Sequence, residues 1–147
     1  MKVVLISCSK TKIATLPGQK VCAKDLYNGT FFKKALEYAE RELRPNRIYI
    51  LSAKHHLLEL TDKIETYDEY LGNKPASVVR EWSEKVIDQL KAKGVDLDKD
   101  TIIFLAGEKY YKYYIDKIKI HETPLKGLKI GKILQELNNL LYDDEKF

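Results

Sequence analysis

Three stretches of the chain are apolar almost without interruption, and each ends abruptly in small or polar residues. They are "KVVLIS" at Lys2 to Ser7, "RIYILS" at Arg47 to Ser52 and "TIIFLA" at Thr101 to Ala106. Continuous, β-branched runs of this length predict strands buried on both faces, as in a parallel sheet. Helical spacing appears between them. Phe31, Phe32, Ala35, Leu36, Ala39 and Leu43 predict a helix from Thr30 to Leu43, with Thr30 as its cap and "RPN" as its stop. Val78, Val79, Trp82, Val86, Ile87 and Leu90 predict a second helix over Ser77 to Lys93, closed by Gly94. A third is expected from Gly131 to Tyr142, a shorter one from Glu108 to Asp116, and a fourth strand from Lys117 to Ile120. Two connections stand out: Cys8 to Tyr27, long for a compact domain, and residues 53–76, where no regular element is expected throughout.

Strands alternating with helices predict an α/β fold, a three-layer sandwich on a mostly parallel sheet of about four strands. No repeat or linker divides the chain, so one domain spanning 1–147 is expected. Right-handed crossovers would bring the carboxyl ends of the strands to one edge, where ligands of open α/β sheets bind.

Those ends carry the candidate chemistry. Cys8, Ser9 and Lys10 follow the first strand, Ser52, Lys54 and His55 close the second, and Gly107 and Glu108 follow the third. A thiolate at Cys8 would be stabilised by Lys10 and Lys12, which makes it a candidate nucleophile; a small residue packed at a turn explains it equally. Ser9 offers a donor to phosphate or carbonyl oxygen, or caps its own turn. Lys54 is a candidate electrostatic stabiliser and His55 a general acid or base. Gly107 permits close backbone approach or simply a turn. Two loop segments, "KDLYNG" and "ETYDEYL", set Asp25 near Tyr27 and Asp68 beside Tyr67. Each tyrosine either stacks on a base whose polar edge the aspartate reads, or anchors its loop.

Composition narrows the partners only slightly. The chain is 44% apolar and 33% charged with a net charge of +4, as expected of a globular protein, and its Lys, Glu and Ile content suits a thermophile. Lys10, Lys12, Lys20 and Lys24 fall in a stretch without acids, whereas "DDE" ends the chain, an asymmetry that favours an anionic ligand near the first loop. No run approaches the roughly 20 apolar residues of a membrane span, and a strand starting at Lys2 leaves no room for a leader, so a cytoplasmic location is expected. Cys8 and Cys22 are expected to be free thiols. The spacing of Cys and His suggests neither a metal nor a cofactor.

In order along the chain, "SCSKTK", "AKDLYNGTFF", "YILSAKHHLL", "YDEYL", "FLAGEKYY" and "PLKGLKIGKILQEL" resemble a small bacterial and phage domain family. Its members carry C-S-x-x-K, D-L-Y, S-A-K-H-G-L-L, Y-D-x-x-L, A-G-x-x-Y and P-L-x-G-x-x-I-G, and some bear a YaaA-like peroxide-stress label. The chain departs from the pattern at His56, where glycine is usual. The Cys-Ser motif is also similar to the core domain of archaeosine synthase, and through it to the uracil-DNA glycosylase-like fold. That resemblance implies a base-binding sandwich, although the water-activating and leucine-loop motifs of uracil excision are missing. The expectation is therefore an enzyme that binds a nucleobase or nucleotide and cleaves a glycosidic bond or modifies a base. A noncatalytic nucleic-acid-binding module and a redox sensor using Cys8 and Cys22 are the alternatives.

Overall fold

The computed structural model describes residues 1–127 and 130–142. Its centre is a five-stranded sheet rather than one of four. Strands β1 (Lys2–Ser7), β3 (Arg47–Ser52) and β6 (Thr101–Leu105) form its parallel middle, and β4 (His56–Glu59) and β7 (Ile120–Glu122) flank it. The order is β4-β3-β1-β6-β7, with only β4 antiparallel.

This order follows from two crossovers. Helix α2 (Thr30–Tyr38) carries the chain from β1 to β3, and α3 (Ala76–Ala92) carries it from β3 past β1 to β6. Right-handed crossovers running in opposite directions put their helices on opposite faces of the sheet. The alternation along β1 records this: Val3 and Leu5 pack with Trp82, Val86 and Leu90 of α3, whereas Val4 and Ile6 pack with Phe32 and Ala35 of α2. Leu137 of α4 (Ile130–Tyr142) joins the second face. Each fully buried side chain of this size contributes about 1.5–3 kcal/mol. The reversal at β1 makes its carboxyl end a topological switch point.

Helix α3 spans nearly the expected range and stops where Gly94, at φ +83°, lets the Val95 N–H reach the Leu90 carbonyl at 3.1 Å. The expected helix from Thr30 to Leu43 is α-helical only to Tyr38 and widens into a π turn over Ala39–Leu43. Gly29 occupies its N-cap position, not Thr30, and no side chain caps it.

Three expectations fail. Glu108 to Asp116 is not one helix but two 3-10 turns, Glu108–Tyr110 and Ile115–Lys117. Their tyrosines face inward: Tyr111 and Tyr114 lie 4.9 and 5.8 Å from the Phe104 ring, and that packing, not helical periodicity, sets the local backbone. The last strand begins at Ile120 rather than ending there. Residues 53–76 and 8–27 hold elements where none was expected. Besides β4, these are β2 (Lys20–Cys22) with the short helix α1 (Ala23–Leu26), and β5 (Lys63–Glu65), which pairs antiparallel with β2. No helix among the described residues is long and apolar enough to cross a membrane. The acidic "DDE" lies outside the described residues.

Candidate functional site

The carboxyl ends of β1, β3 and β6 converge as the alternation predicts, and two loops are drawn over them. The first, residues 8–13, runs antiparallel to residues 26–28, with the Ile13 N–H 2.9 Å from the Leu26 carbonyl and Lys12 bridged to Tyr27. The second, after β5, is drawn in by the β2–β5 pairing and delivers Tyr67 and Tyr70.

Three hydroxyls meet where these loops cross. The Tyr27 hydroxyl lies 2.5 Å from that of Tyr67 and donates to Ser52 Oγ at 3.4 Å, while Ser52 Oγ and the Tyr67 hydroxyl are 2.9 Å apart. Ser52 Oγ also accepts the His55 backbone N–H at 3.0 Å, which sets the turn after β3. Above the cluster, the Lys12 ammonium sits 4.3 Å from the centre of the Tyr67 ring and 5.8 Å from that of Tyr27, and donates to the Lys10 carbonyl at 3.1 Å. The His55 ring meets Tyr67 edge-on at 5.6 Å.

Beside this cluster opens a cavity of about 530 Å³, within the usual range for small-molecule sites. Cys8, Ser9, Lys10 and Gly107 line it, with Phe31, Tyr70 and Tyr110 as aromatic walls. The Cys8 N–H continues the ladder to the Leu51 carbonyl at 2.9 Å, so the thiol stands just beyond the carboxyl end of the central strand. Its Sγ is 3.9 Å from the Tyr110 hydroxyl. Ser9 is committed locally, its Oγ donating to the Thr11 carbonyl and accepting the Gly29 N–H at 3.2 Å. Gly29 is required there, since a Cβ would lie 2.7 Å from that of Ser9. At Gly107 nothing lies within 4 Å of such a Cβ, so its small size leaves the cavity open.

Electrostatics follow burial. Desolvation pushes the Tyr27 hydroxyl up to about 12, and Tyr67 and Tyr110 are pushed up further, in each case helped by negative charge at Cys8. Desolvation lowers Lys12, against the pull of Cys8 and Asp68. His55 is lowered by burial and by Lys54, so its ring is neutral near pH 7.

Not every expected residue is brought in. Asp25 is exposed on α1 and lines a separate cavity with Lys24 and Glu37. Glu108 is exposed and lines none of the cavities described here. Tyr27 is 1% exposed, and its bonds to Ser52 and Tyr67 close the gap in which a base was expected to stack. Lys54 is exposed, 5.9 Å from the Tyr67 ring, and lines a different concavity from the one that holds Cys8. Asp68 acts at a distance, through Lys12. Conversely, Phe31, Tyr70 and Tyr110 were not anticipated; only the small-to-aromatic step in "AGEKYY" pointed to Tyr110.

His56, the departure from the glycine pattern, adopts φ +65°. It closes the three-residue connection between paired Ser52 and His56, where a left-handed residue is needed. The backbone therefore takes the glycine conformation without the glycine. Both cysteines are free thiols, Cys8 at the edge of the main sheet and Cys22 on the small one. Among the described residues no group of three or more His, Cys, Asp or Glu is placed to hold a metal.

No curated protein matches the chain. Residues 3–139, from the first strand into α4, match a family of unknown function (DUF6884), and the chain belongs to that family.

Proposed function

We propose that the strand-end cavity binds a nucleobase or nucleotide and that Cys8 acts on it, in glycosidic-bond cleavage or in modification of the base. The observation that carries this reading is a thiol at the carboxyl end of the central strand, lining a cavity walled by Phe31, Tyr70 and Tyr110. Flat aromatic walls suit a planar heterocycle, and a nucleophile lining the same cavity addresses its edge. The likeness of the Cys-Ser motif to archaeosine synthase and the uracil-DNA glycosylase-like fold points the same way.

Roles follow from distance. Cys8 is the nucleophile, and the Tyr110 hydroxyl, 3.9 Å from Sγ, donates a hydrogen bond to the thiolate. Lys12 takes the electrostatic role expected of Lys54, because it lies over the cluster beside the cavity. His55 lines neither the Cys8 cavity nor its rim and meets Tyr67 edge-on at 5.6 Å, so in this reading it positions Tyr67 rather than touching the ligand. Lys10, whose ammonium lies 5.5 Å from the Tyr70 ring, meets an anionic group at the rim.

The test pairs Cys8 alkylation with thermal unfolding across nucleobases, nucleosides, nucleotides and short single- and double-stranded nucleic acids, at low and high salt. Expected is one base or nucleotide that slows alkylation and raises the midpoint independently of salt. Cys8→Ser then retains binding and loses turnover. Shifts with polymers alone, lost at high salt, would replace this reading with the noncatalytic module.

A further inference from the structure

Beyond Tyr70 lies a second concavity with a different character. About 280 Å³ in volume, it sits between the β3–β4 turn and the first half of α3, over the Trp82 ring. Lys54, Lys74 and Lys85 line it with His56, and Glu69 and Glu81 complete the rim. The ion pairs among the described residues are Met1–Asp100, Glu37–Arg41 and Glu59–Lys93, so contact with an acid neutralises none of the three lysines. Three ammonium groups against two carboxylates leave the concavity a net positive charge, which an anion offsets.

We propose that this concavity is a phosphate subsite, taking one phosphoryl group of the ligand whose base occupies the cavity at Cys8. The identity of that ligand rests on the base-binding reading; the anion site does not. Two glutamates leave only a small net positive charge, which suits a single phosphate rather than a polyphosphate chain. His56 brings a ring N–H, held at φ +65° in a conformation that non-glycine residues adopt only when the surrounding structure imposes it. The floor is rigid, because Trp82 Nε1 donates to the Ser52 carbonyl at 2.8 Å. The same Ser52 holds Tyr27 and Tyr67 through its hydroxyl, which fixes the β3–β4 turn on one side of the concavity. Residues 69–71 contribute to the linings of both concavities, Tyr70 to that at Cys8 and Glu69 and Leu71 to this one, and the Tyr110 wall of the first packs on Trp82 of the second at 5.8 Å.

Inorganic phosphate is the first probe, titrated against chloride at constant ionic strength, with the His56 ring protons followed by NMR and the unfolding midpoint by heat. Phosphate is expected to shift both where chloride does not. Both shifts should vanish in a Lys74→Ala/Lys85→Ala double variant, whose fold is checked by circular dichroism. The second probe compares the four ribonucleosides with their 5′-monophosphates and with dinucleoside monophosphates. A bound monophosphate should gain about tenfold or more in affinity over its nucleoside, and lose that gain in the double variant. A gain confined to the dinucleoside arm assigns the phosphate to a diester of a chain, and one in the monophosphate arm to a free nucleotide. A phosphate response equal to that of chloride, or undiminished in the double variant, overturns the subsite. Protection of Cys8 by a nucleoside reports on the base cavity separately. If phosphate binds while no nucleoside or nucleotide protects Cys8, the subsite stands and the base reading falls.

Discussion

The hydroxyl of Tyr27 lies 2.5 Å from that of Tyr67, a contact across 40 residues that fastens the loop after β5 to the loop after β1. Ser52, from β3, is the third corner. Replacing Ser52 by Ala removes one oxygen that serves two phenols and a backbone N–H, all in a buried setting. The expected loss is about 1–3 kcal/mol in urea unfolding, because the buried partners lose their hydrogen bonds. Tyr67→Phe should cost less, and the double variant should show less than the sum of the two.

Alkaline pH acts on the same cluster. The folded values of Tyr27, Tyr67 and Tyr110 stand above the ordinary phenol value near 10 because burial disfavours the phenolate. A group whose folded value is raised keeps its full contribution below the unfolded value and loses it as pH rises toward the folded one. Stability should therefore hold up to about pH 10 and then fall by about 1.4 kcal/mol per pH unit for each phenol that stays protonated. Lys12, lowered by burial, works in the opposite sense over the approach to its unfolded value. Urea unfolding between pH 8 and 11.5, on the wild type and on Lys12→Met, separates the two; a flat profile above pH 10 would contradict the buried network.

Two glycines of the cavity should respond oppositely to a methyl group. Gly29→Ala drives a Cβ to 2.7 Å from that of Ser9, at a φ that alanine accepts, so the cost is steric. Separating the first loop from α2 should cost about 1–3 kcal/mol. Gly107→Ala meets nothing within 4 Å and should change stability by less than about 0.5 kcal/mol. A larger Gly107→Leu should fold normally yet fill the cavity, so that Cys8 alkylation slows and any ligand that protects it is lost.

At residue 56 the backbone conformation and the side chain are in conflict. His56→Gly should raise stability by up to about 1 kcal/mol, the left-handed penalty less the entropy that glycine loses on folding. His56→Val should lower it by about 1 kcal/mol or more, because a β-branched residue tolerates that region worst. Urea midpoints in any order other than Gly, His, Val would show that the histidine makes contacts worth more than the strain.

The three central parallel strands, β1, β3 and β6, were legible because they are buried on both faces, and burial writes itself as an unbroken apolar run. β4 and β5 were not. Ile64 is the only residue of β5 that is buried, and the turn before β4 carries Ala53, Lys54 and His55 with no glycine, proline or asparagine to mark it. "EKYYKYY" reads as a helix because Tyr110, Tyr111 and Tyr114 have helical spacing; their packing on Trp82 and Phe104 holds them in tight turns instead. At the site, the strand-end residues Cys8, Ser9, Lys10 and Gly107 were foreseeable from topology alone. Tyr70 and the Tyr27–Ser52–Tyr67 cluster were not, because they depend on how the β2–β5 pair folds two loops together.

The strand that leads into Cys8 is the middle of five, and Val3 to Ile6 within it are wholly shielded from solvent. Tyr70, by contrast, is exposed, held to the rim by a cation–ring contact with Lys10 and a loop tied down by Lys109 through the Gly72 and Lys74 carbonyls. The thiol thus follows a strand whose core residues are fully buried, while the wall beside it is an exposed ring held by side-chain contacts. An arriving anion competes with the Tyr70 ring for the Lys10 ammonium. In the reading proposed above, admission of an anion and release of the wall are a single exchange of partners at Lys10, next to the Cys8 thiol.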